Sequence, residues 1–128
     1  MTQLTHPDVD QIVLPNVLAT LGDETRLAII GYLDRHAGEG MTCGQFSNLG
    51  SKTSLSYHLA KLREAGIIHI EPVGTKRYVT LRRTDLDTRF PGFLDSIIES
   101  ARCLPFAVDQ GETLIGEAAT IAGSHWND

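Results

Sequence analysis

The fold is decided by the stretch Thr42-Cys-Gly-Gln-Phe-Ser-Asn-Leu-Gly50-Ser51-Lys-Thr-Ser-Leu-Ser-Tyr-His-Leu-Ala-Lys-Leu-Arg-Glu-Ala-Gly66. Thr42 and Gln45 have the spacing of a capping box, which predicts a short helix beginning at Cys43. Gly50 stops that helix and Ser51 caps a longer one. Its buried side repeats at helical spacing and is formed by Leu55, Leu59 and Leu62. The pattern predicts two helices joined by a tight turn that contains glycine.

After Gly66, which is placed to end the second helix, the apolar period changes from helical to two. Ile68 and Ile70 alternate with polar residues, and Val79 and Leu81 do the same. Residues 72–75 lie between these runs and are predicted to form a turn. A basic β-hairpin is therefore expected to follow the two helices.

Upstream, the capping box of Asp8 and Gln11 starts a first helix, unless that helix begins nearer Pro15. A second helix is predicted from an Asp23 cap to Leu33. Downstream, a last amphipathic helix is expected to open at Pro91, and Pro105 limits its end. Its apolar stripe consists of Phe93, Leu94, Ile97, Ile98 and Ala101.

This order predicts a mainly α fold with a small β-hairpin (α+β), a winged helix-turn-helix. We expect residues 1–84 to form the DNA-binding domain, residues 85–105 a C-terminal dimerisation helix, and residues 106–128 a tail of undetermined structure. The apolar stripe of the last helix exceeds the needs of one small core, so a homodimer through the first and last helices is predicted.

Charge is distributed unevenly along the chain. The whole sequence of 128 residues carries a net charge of −5. Residues 51–83 nevertheless hold seven basic and two acidic side chains, a local charge of +5. A local positive patch attracts phosphates whatever the total charge. Double-stranded DNA, as a palindromic operator, is therefore the expected partner.

The residues expected to contact DNA lie on the second helix of the pair and at the hairpin tip. Hydroxyl, lysine and aromatic side chains suit base edges and phosphates, and the two tip cations suit a flanking phosphate or the minor groove. The predicted set is Lys52, Thr53, Ser54, Ser56, Tyr57, Lys61, Lys76 and Arg77.

Other classes of protein are disfavoured. No phosphate loop, paired-carboxylate motif or nucleophile elbow is present, so no enzymatic activity and no cofactor are expected. The start of the chain lacks a secretory pattern and no apolar run is long enough to cross a bilayer. A cytoplasmic location without a membrane partner is predicted. A winged helix that binds only proteins remains an alternative.

Three segments resemble ArsR-type winged-helix repressors. They are Leu18-Ala-Thr-Leu-Gly-Asp-Glu-Thr-Arg-Leu-Ala-Ile-Ile30, Ser54-Leu-Ser-Tyr-His-Leu-Ala-Lys-Leu-Arg-Glu-Ala-Gly-Ile-Ile68 and Gly74-Thr-Lys-Arg-Tyr-Val-Thr-Leu-Arg82. The resemblance covers about residues 16–83. It implies a homodimeric repressor that a signal releases from DNA.

The nature of that signal is left open by the sequence. The arsenic-type Cys-x-Cys pair is represented by Cys43 alone, and residues 84–102 lack the histidine of the zinc-type site. No metal site is therefore predicted, although a metal-responsive repressor with Cys43, His36 or Cys103 as ligands stays an alternative. Cys43 at a helix start is expected to have a lowered pKa, which favours redox sensing, with Cys103 either its disulfide partner or merely part of the packing. Simple packing of Cys43 is the other interpretation.

Overall fold

A computed structural model describes residues 4–37 and 39–102 of the chain. Cys103 and the predicted tail at residues 106–128 lie outside the described residues. The helices and strands follow one another as the 3₁₀ helix Val9–Gln11, α1 (Leu14–Leu21), α2 (Glu24–Arg35), β1 (Met41–Thr42), the 3₁₀ helix Cys43–Leu49, α3 (Lys52–Glu64), β2 (Ile68–Val73), β3 (Lys76–Leu81), α4 (Arg83–Arg89) and α5 (Phe93–Ala101). This is the predicted α+β winged helix-turn-helix. None of the described helices is long and apolar enough to span a membrane.

The helix before α3 begins where the sequence predicts. Thr42 and Gln45 form the capping box, and the Gln45 side chain accepts a hydrogen bond from the Thr42 backbone N–H at 2.8 Å. The helix is 3₁₀ rather than α. Phe46 anchors it, since its side chain is fully buried, and Asn48 donates a 2.6 Å hydrogen bond to the Tyr32 hydroxyl on α2. These contacts hold the 3₁₀ helix that precedes α3 against the core and α2.

Both ends of α3 are set by local chemistry. The Ser51 hydroxyl accepts a hydrogen bond from the Ser54 N–H at 3.1 Å. At the other end the Gly66 N–H donates to the Arg63 carbonyl and the Ile67 N–H to the Leu62 carbonyl, both at 3.0 Å. This is a Schellman motif, which needs a left-handed residue, and Gly66 has φ +86°. The predicted span of α3 is confirmed.

The sheet differs from the prediction in two respects. The hairpin turn is tighter than residues 72–75, because β2 continues to Val73 and pairs there with Lys76, leaving Gly74 and Thr75 as the turn. A third strand, β1, pairs with β3 at Met41–Val79 and gives the order β1-β3-β2. Two residues are too few to show a period, so the sequence pattern did not predict β1.

The predicted first and last helices also need correction. The Asp8 capping box caps only a 3₁₀ turn, and α1 starts at Leu14 with Pro15 in its first turn, which confirms the alternative start near Pro15. The last helix begins at Phe93 after Gly92, which has φ +78°, and not at Pro91. A further helix, α4, precedes it and was missed, since its seven residues include one buried side chain, Leu86.

One hydrophobic core joins α4 and α5 to the rest of the fold. Leu86, Leu94 and Ile98 are buried in the same cluster as Leu62 and Phe46. Two members of the stripe predicted to face a second protomer, Leu94 and Ile98, are thus used by the protomer's own core. The division of the chain at residues 84 and 105 stays a prediction, and α4 spans its first boundary.

Two arginines fix α4 within the fold. The Arg83 guanidinium donates to Asp34 on α2 and to Asp95 on α5, each at 2.6 Å, and the hydrogen bond to Asp95 raises the pKa of Arg83. Arg89 donates twice to the Ile12 carbonyl, at 2.9 and 2.7 Å. Because Ile12 lies two residues before the start of α1, this contact helps to orient that helix.

The segment before the first 3₁₀ turn lies across α3 and β2. The Arg63 guanidinium donates to the Thr5 carbonyl at 3.1 Å, and the Ile70 N–H donates to Nε2 of His6 at 3.1 Å. The His6 ring stacks on His69 with 4.3 Å between centroids. Burial, followed by the charges of His69 and Arg63, lowers the pKa of His6, which keeps Nε2 available as an acceptor. This segment therefore holds the free edge of the sheet against α3.

Candidate nucleic-acid interface

The predicted DNA-contacting residues of α3 are mostly accessible. Lys52, Thr53, Ser56 and Tyr57 are exposed, whereas Ser54 and Lys61 are half-buried. Leu55, Leu59 and Leu62 hold the opposite side of the helix in the core. Burial of that side turns the polar side outward, and such a face is suited to contacts in the major groove.

The wing cations lie on the same side of the molecule as the first turns of α3. Lys76 and Arg77 are exposed next to the Gly74–Thr75 turn. Together with Lys52 and Ser56 they line one groove between α3 and the hairpin. The structure thus brings together four of the eight predicted residues around one feature.

Tyr57 stands apart from that groove, on the outward face of α3. Tyr57 is 56% exposed, which is high for an aromatic residue. Two cations flank it: the Arg26 guanidinium carbon lies 5.7 Å and the Lys61 ammonium nitrogen 5.5 Å from the ring centroid. Cations at these distances are attracted by the ring face. The ring is therefore held without being buried.

A network from the start of α2 holds α3 behind Tyr57. The Asp23 carboxylate caps α2 by accepting from the Arg26 N–H at 3.0 Å. The Arg26 side chain then donates to Nδ1 of His58 at 3.0 Å and to the Thr20 carbonyl at 3.1 Å. Nδ1 of His58 is thus the acceptor in this pair, since a guanidinium only donates. Arg26 therefore connects the α1–α2 corner to α3.

Arg26, His58 and Arg63 are the residues of this region that the prediction omitted. All three stand in the quoted segments, but their partners are distant in sequence: Arg26 and His58 lie 32 positions apart, and Arg63 lies 58 positions from Thr5. Periodicity places a residue on a face of its own helix and says nothing about a partner on another helix. Only the packed fold brings the two together.

The expected low pKa of Cys43 is wrong. Burial of the half-buried thiol raises its pKa, and the positive charge of Arg77 opposes this only in part. The sequence argument assumed an exposed thiol at a helix dipole. In the structure the side chain instead points into the groove wall beside the core, where the thiolate loses hydration.

The metal alternative gains no support from the described part of the chain. Among residues 4–37 and 39–102, no three histidine, cysteine or acidic side chains are grouped so that they could hold a metal ion. His36 lies at the end of α2, and its Nδ1 is 2.9 Å from the Tyr32 carbonyl oxygen. The third suggested ligand, Cys103, lies outside the described residues.

Comparisons with known proteins agree with this architecture. A family model described as a helix-turn-helix domain matches residues 21–71, a range that contains α2 and α3 whole. The chain is also similar to YceK, an uncharacterised HTH-type transcriptional regulator of Bacillus subtilis (strain 168). The two are 34% identical over 96 residues, which cover 73% of this chain and 95% of the relative.

Proposed function

The chain belongs to the family of HTH-type transcriptional regulators, and on this premise we propose that it is a homodimeric repressor that binds a palindromic DNA operator. In this proposal α3 enters the major groove and the wing contacts the neighbouring phosphates. The ArsR resemblance supports repression released by a signal, and catalysis has no part in it.

One observation carries the proposal. Lys52 and Ser56 of α3 line one groove with the wing cations Lys76 and Arg77, so a single duplex is able to meet both elements. Phosphate contacts orient such a protein, and side chains at base edges supply specificity. The acidic total charge is carried elsewhere in the chain, since residues 1–50 and 84–128 have net charges of −4 and −6.

The decisive experiment selects bound duplexes from a random library and measures the affinity of the winning sequence by fluorescence anisotropy. We expect an inverted repeat whose half-sites are centred about one helical turn apart, with affinity that falls steeply as salt rises. A protein that enriches no sequence and shows no salt-dependent binding would contradict the proposal and favour a protein-binding winged helix.

Ser56→Ala and Tyr57→Ala test base contacts by α3. Both side chains are exposed on the DNA-facing side, so each replacement is expected to cost roughly 1–3 kcal/mol on the selected operator and far less on random DNA. Ser96→Ala on α5 is the matched serine control and should leave both affinities unchanged. Equal losses on operator and random DNA would show that neither residue contacts bases.

Dimerisation is proposed through α1, with α5 beside it. Val13, Leu14 and Leu18 at α1 are 40%, 39% and 50% exposed in the protomer, although they are large and apolar. On α5, Phe93 and Ile97 are half-buried. A second copy covering these side chains would remove apolar area from water.

Leu18→Asp is expected to convert the dimer into a monomer, because a buried unpaired carboxylate is costly at an apolar interface. Val73→Asp is a close control, since Val73 is 52% exposed but lies on the wing. Sedimentation velocity at micromolar concentration distinguishes the two states. A wild-type protein that sediments as a monomer would refute the proposed dimer.

Redox control through Cys43 and Cys103 stays a prediction, and the raised pKa of Cys43 weakens it. In a Cys103→Ser background, we expect iodoacetamide to alkylate Cys43 several-fold more slowly in the folded protein than in urea, because the thiolate is the reactive form. Mass spectrometry follows the reaction. Faster alkylation in the folded protein, or loss of an oxidant response in Cys43→Ser, would restore the redox hypothesis.

A further inference from the structure

The groove between α3 and the hairpin is large enough to hold a small molecule. Its volume is about 700 Å³, which lies in the range of small-molecule sites. One wall is α3, the second is the wing, and the start of the 3₁₀ helix Cys43–Leu49 closes one side. The cavity lies within one protomer and is formed by residues that the structure describes.

The chemistry of its lining points to one kind of ligand. The inner surface is mainly apolar, although hydroxyl side chains also line the groove; its apolar members are Leu4, Cys43, Leu55, Leu59, Ala60 and Ile70. Four cations surround it, namely Lys52, Arg63, Lys76 and Arg77, and no carboxylate is among the described residues that line it. A neutral apolar molecule would leave the cations without a partner, and a small inorganic anion would leave the apolar surface uncovered.

DNA accounts for only part of this lining. Phosphates of a duplex outside the groove suit Lys52, Lys76 and Arg77, but a charged phosphate gains nothing from Leu59 or Ile70. Arg63 extends the positive charge along α3 toward the Thr5 carbonyl, its partner at 3.1 Å. The groove thus combines an apolar interior with four surrounding cations, and contacts with DNA phosphates explain only the cations.

We propose that this groove binds an apolar carboxylate, whose hydrocarbon body covers the Leu59 side and whose carboxylate pairs with the surrounding cations. The consequence for DNA rests on the proposed function. A ligand there neutralises cations that would otherwise meet phosphates and lies between the two elements that a duplex must contact together. It therefore acts as an inducer that releases DNA.

The test uses 2-naphthoate as the probe and its neutral amide, 2-naphthamide, as the matched control. Isothermal titration of the full chain should give a Kd below about 1 mM for the acid, as expected for a ligand of this size. The amide should bind at least about tenfold more weakly, because it has no charge for the cations. No saturable binding of 2-naphthoate, or equal binding of acid and amide, would overturn the proposal.

Two variants locate the ligand. Ala60→Leu adds volume from α3, and Gly44→Leu adds it from the 3₁₀ helix, where a Cβ would meet no atom within 4 Å. Each should weaken 2-naphthoate binding about tenfold or more, whereas Thr88→Leu on α4 should not. Bound 2-naphthoate should also slow alkylation of Cys43 in the Cys103→Ser background. Unchanged binding in both groove variants would place the ligand elsewhere and overturn the proposal.

Competition on the selected operator separates this inference from the proposed function. We expect 2-naphthoate to release DNA and 2-naphthamide to leave it bound. If the protein binds no duplex but still binds 2-naphthoate in the groove, the ligand site stands and the DNA function fails. If DNA binds and groove-bound 2-naphthoate does not release it, the inducer role is wrong.

Discussion

Gly66→Ala is expected to destabilise the protein by roughly 2–5 kcal/mol. A non-glycine residue in the left-handed conformation costs about 1–2 kcal/mol, and Gly66 has φ +86°. The new Cβ would also lie 2.5 Å from Cγ1 of Ile12, a side chain that is 1% exposed and cannot move into solvent. Overpacking of this kind adds about 1–3 kcal/mol.

Gly74→Ala provides the matched control for that prediction. Gly74 has φ +65°, but a Cβ there meets no atom within 4 Å. Gly74→Ala should therefore lower the free energy of unfolding only by the cost of the left-handed conformation, about 1–2 kcal/mol. Urea unfolding at one fixed protein concentration measures both variants, with the slope expected to stay constant. Equal decreases in the free energy of unfolding at the two glycines would mean that Ile12 moves aside without destabilising the protein, and that the steric contact with the new Cβ is not destabilising.

The second large effect is expected on DNA binding. Replacing Lys76 and Arg77 together by alanine should weaken binding to the operator and to random DNA alike, by about a hundredfold or more at 0.1 M salt. In the proposed dimer, two phosphate contacts would be lost in each protomer and four in all. The slope of log K against log salt should accordingly fall in magnitude by about 3–4.

The control for charge is the double variant Arg35→Gln/Arg102→Gln. Arg102 lies 3.7 Å from Asp34, which Arg83 also contacts at the base of the wing. Neither control residue belongs to the predicted DNA-contacting set, since Arg35 is the last residue of α2 and Arg102 follows α5. We expect the control to keep the wild-type salt slope. The same fall in slope in both double variants would show that net charge, and not the wing, governs binding.

The local sequence determined the motif and its limits. The signals that define it are the caps at Thr42 and Ser51, the leucine repeat of α3 and the glycine at position 66. Each depends on contacts between residues close in sequence, and the structure contains all of them. The alternation in β2 and β3 likewise follows from a sheet with one buried side. Such signals depend on contacts within about four residues or on one periodic face, and both are visible in a sequence.

Other features were decided by packing between distant segments. Whether Leu94 and Ile98 face a core or a second protomer depends on where α2 lies, and an apolar stripe is identical in either case. The strand β1 exists because β3 offers it a partner 38 positions away. The pKa of Cys43 was also decided by packing: the helix start alone would lower this pKa, and burial beside the groove raises it.

In the candidate interface, too, some features were determined by the sequence and others by packing. The sequence by itself determined which side chains of α3 and the wing are polar or basic, because these properties belong to single residues and to one helical or hairpin face. Only the tertiary structure decided that Arg26 holds His58 and that Arg63 joins the wing cations around an apolar groove. The physical reason is that hydrogen bonds, desolvation and cavities depend on distances in space, and chain folding makes residues far apart in sequence near neighbours.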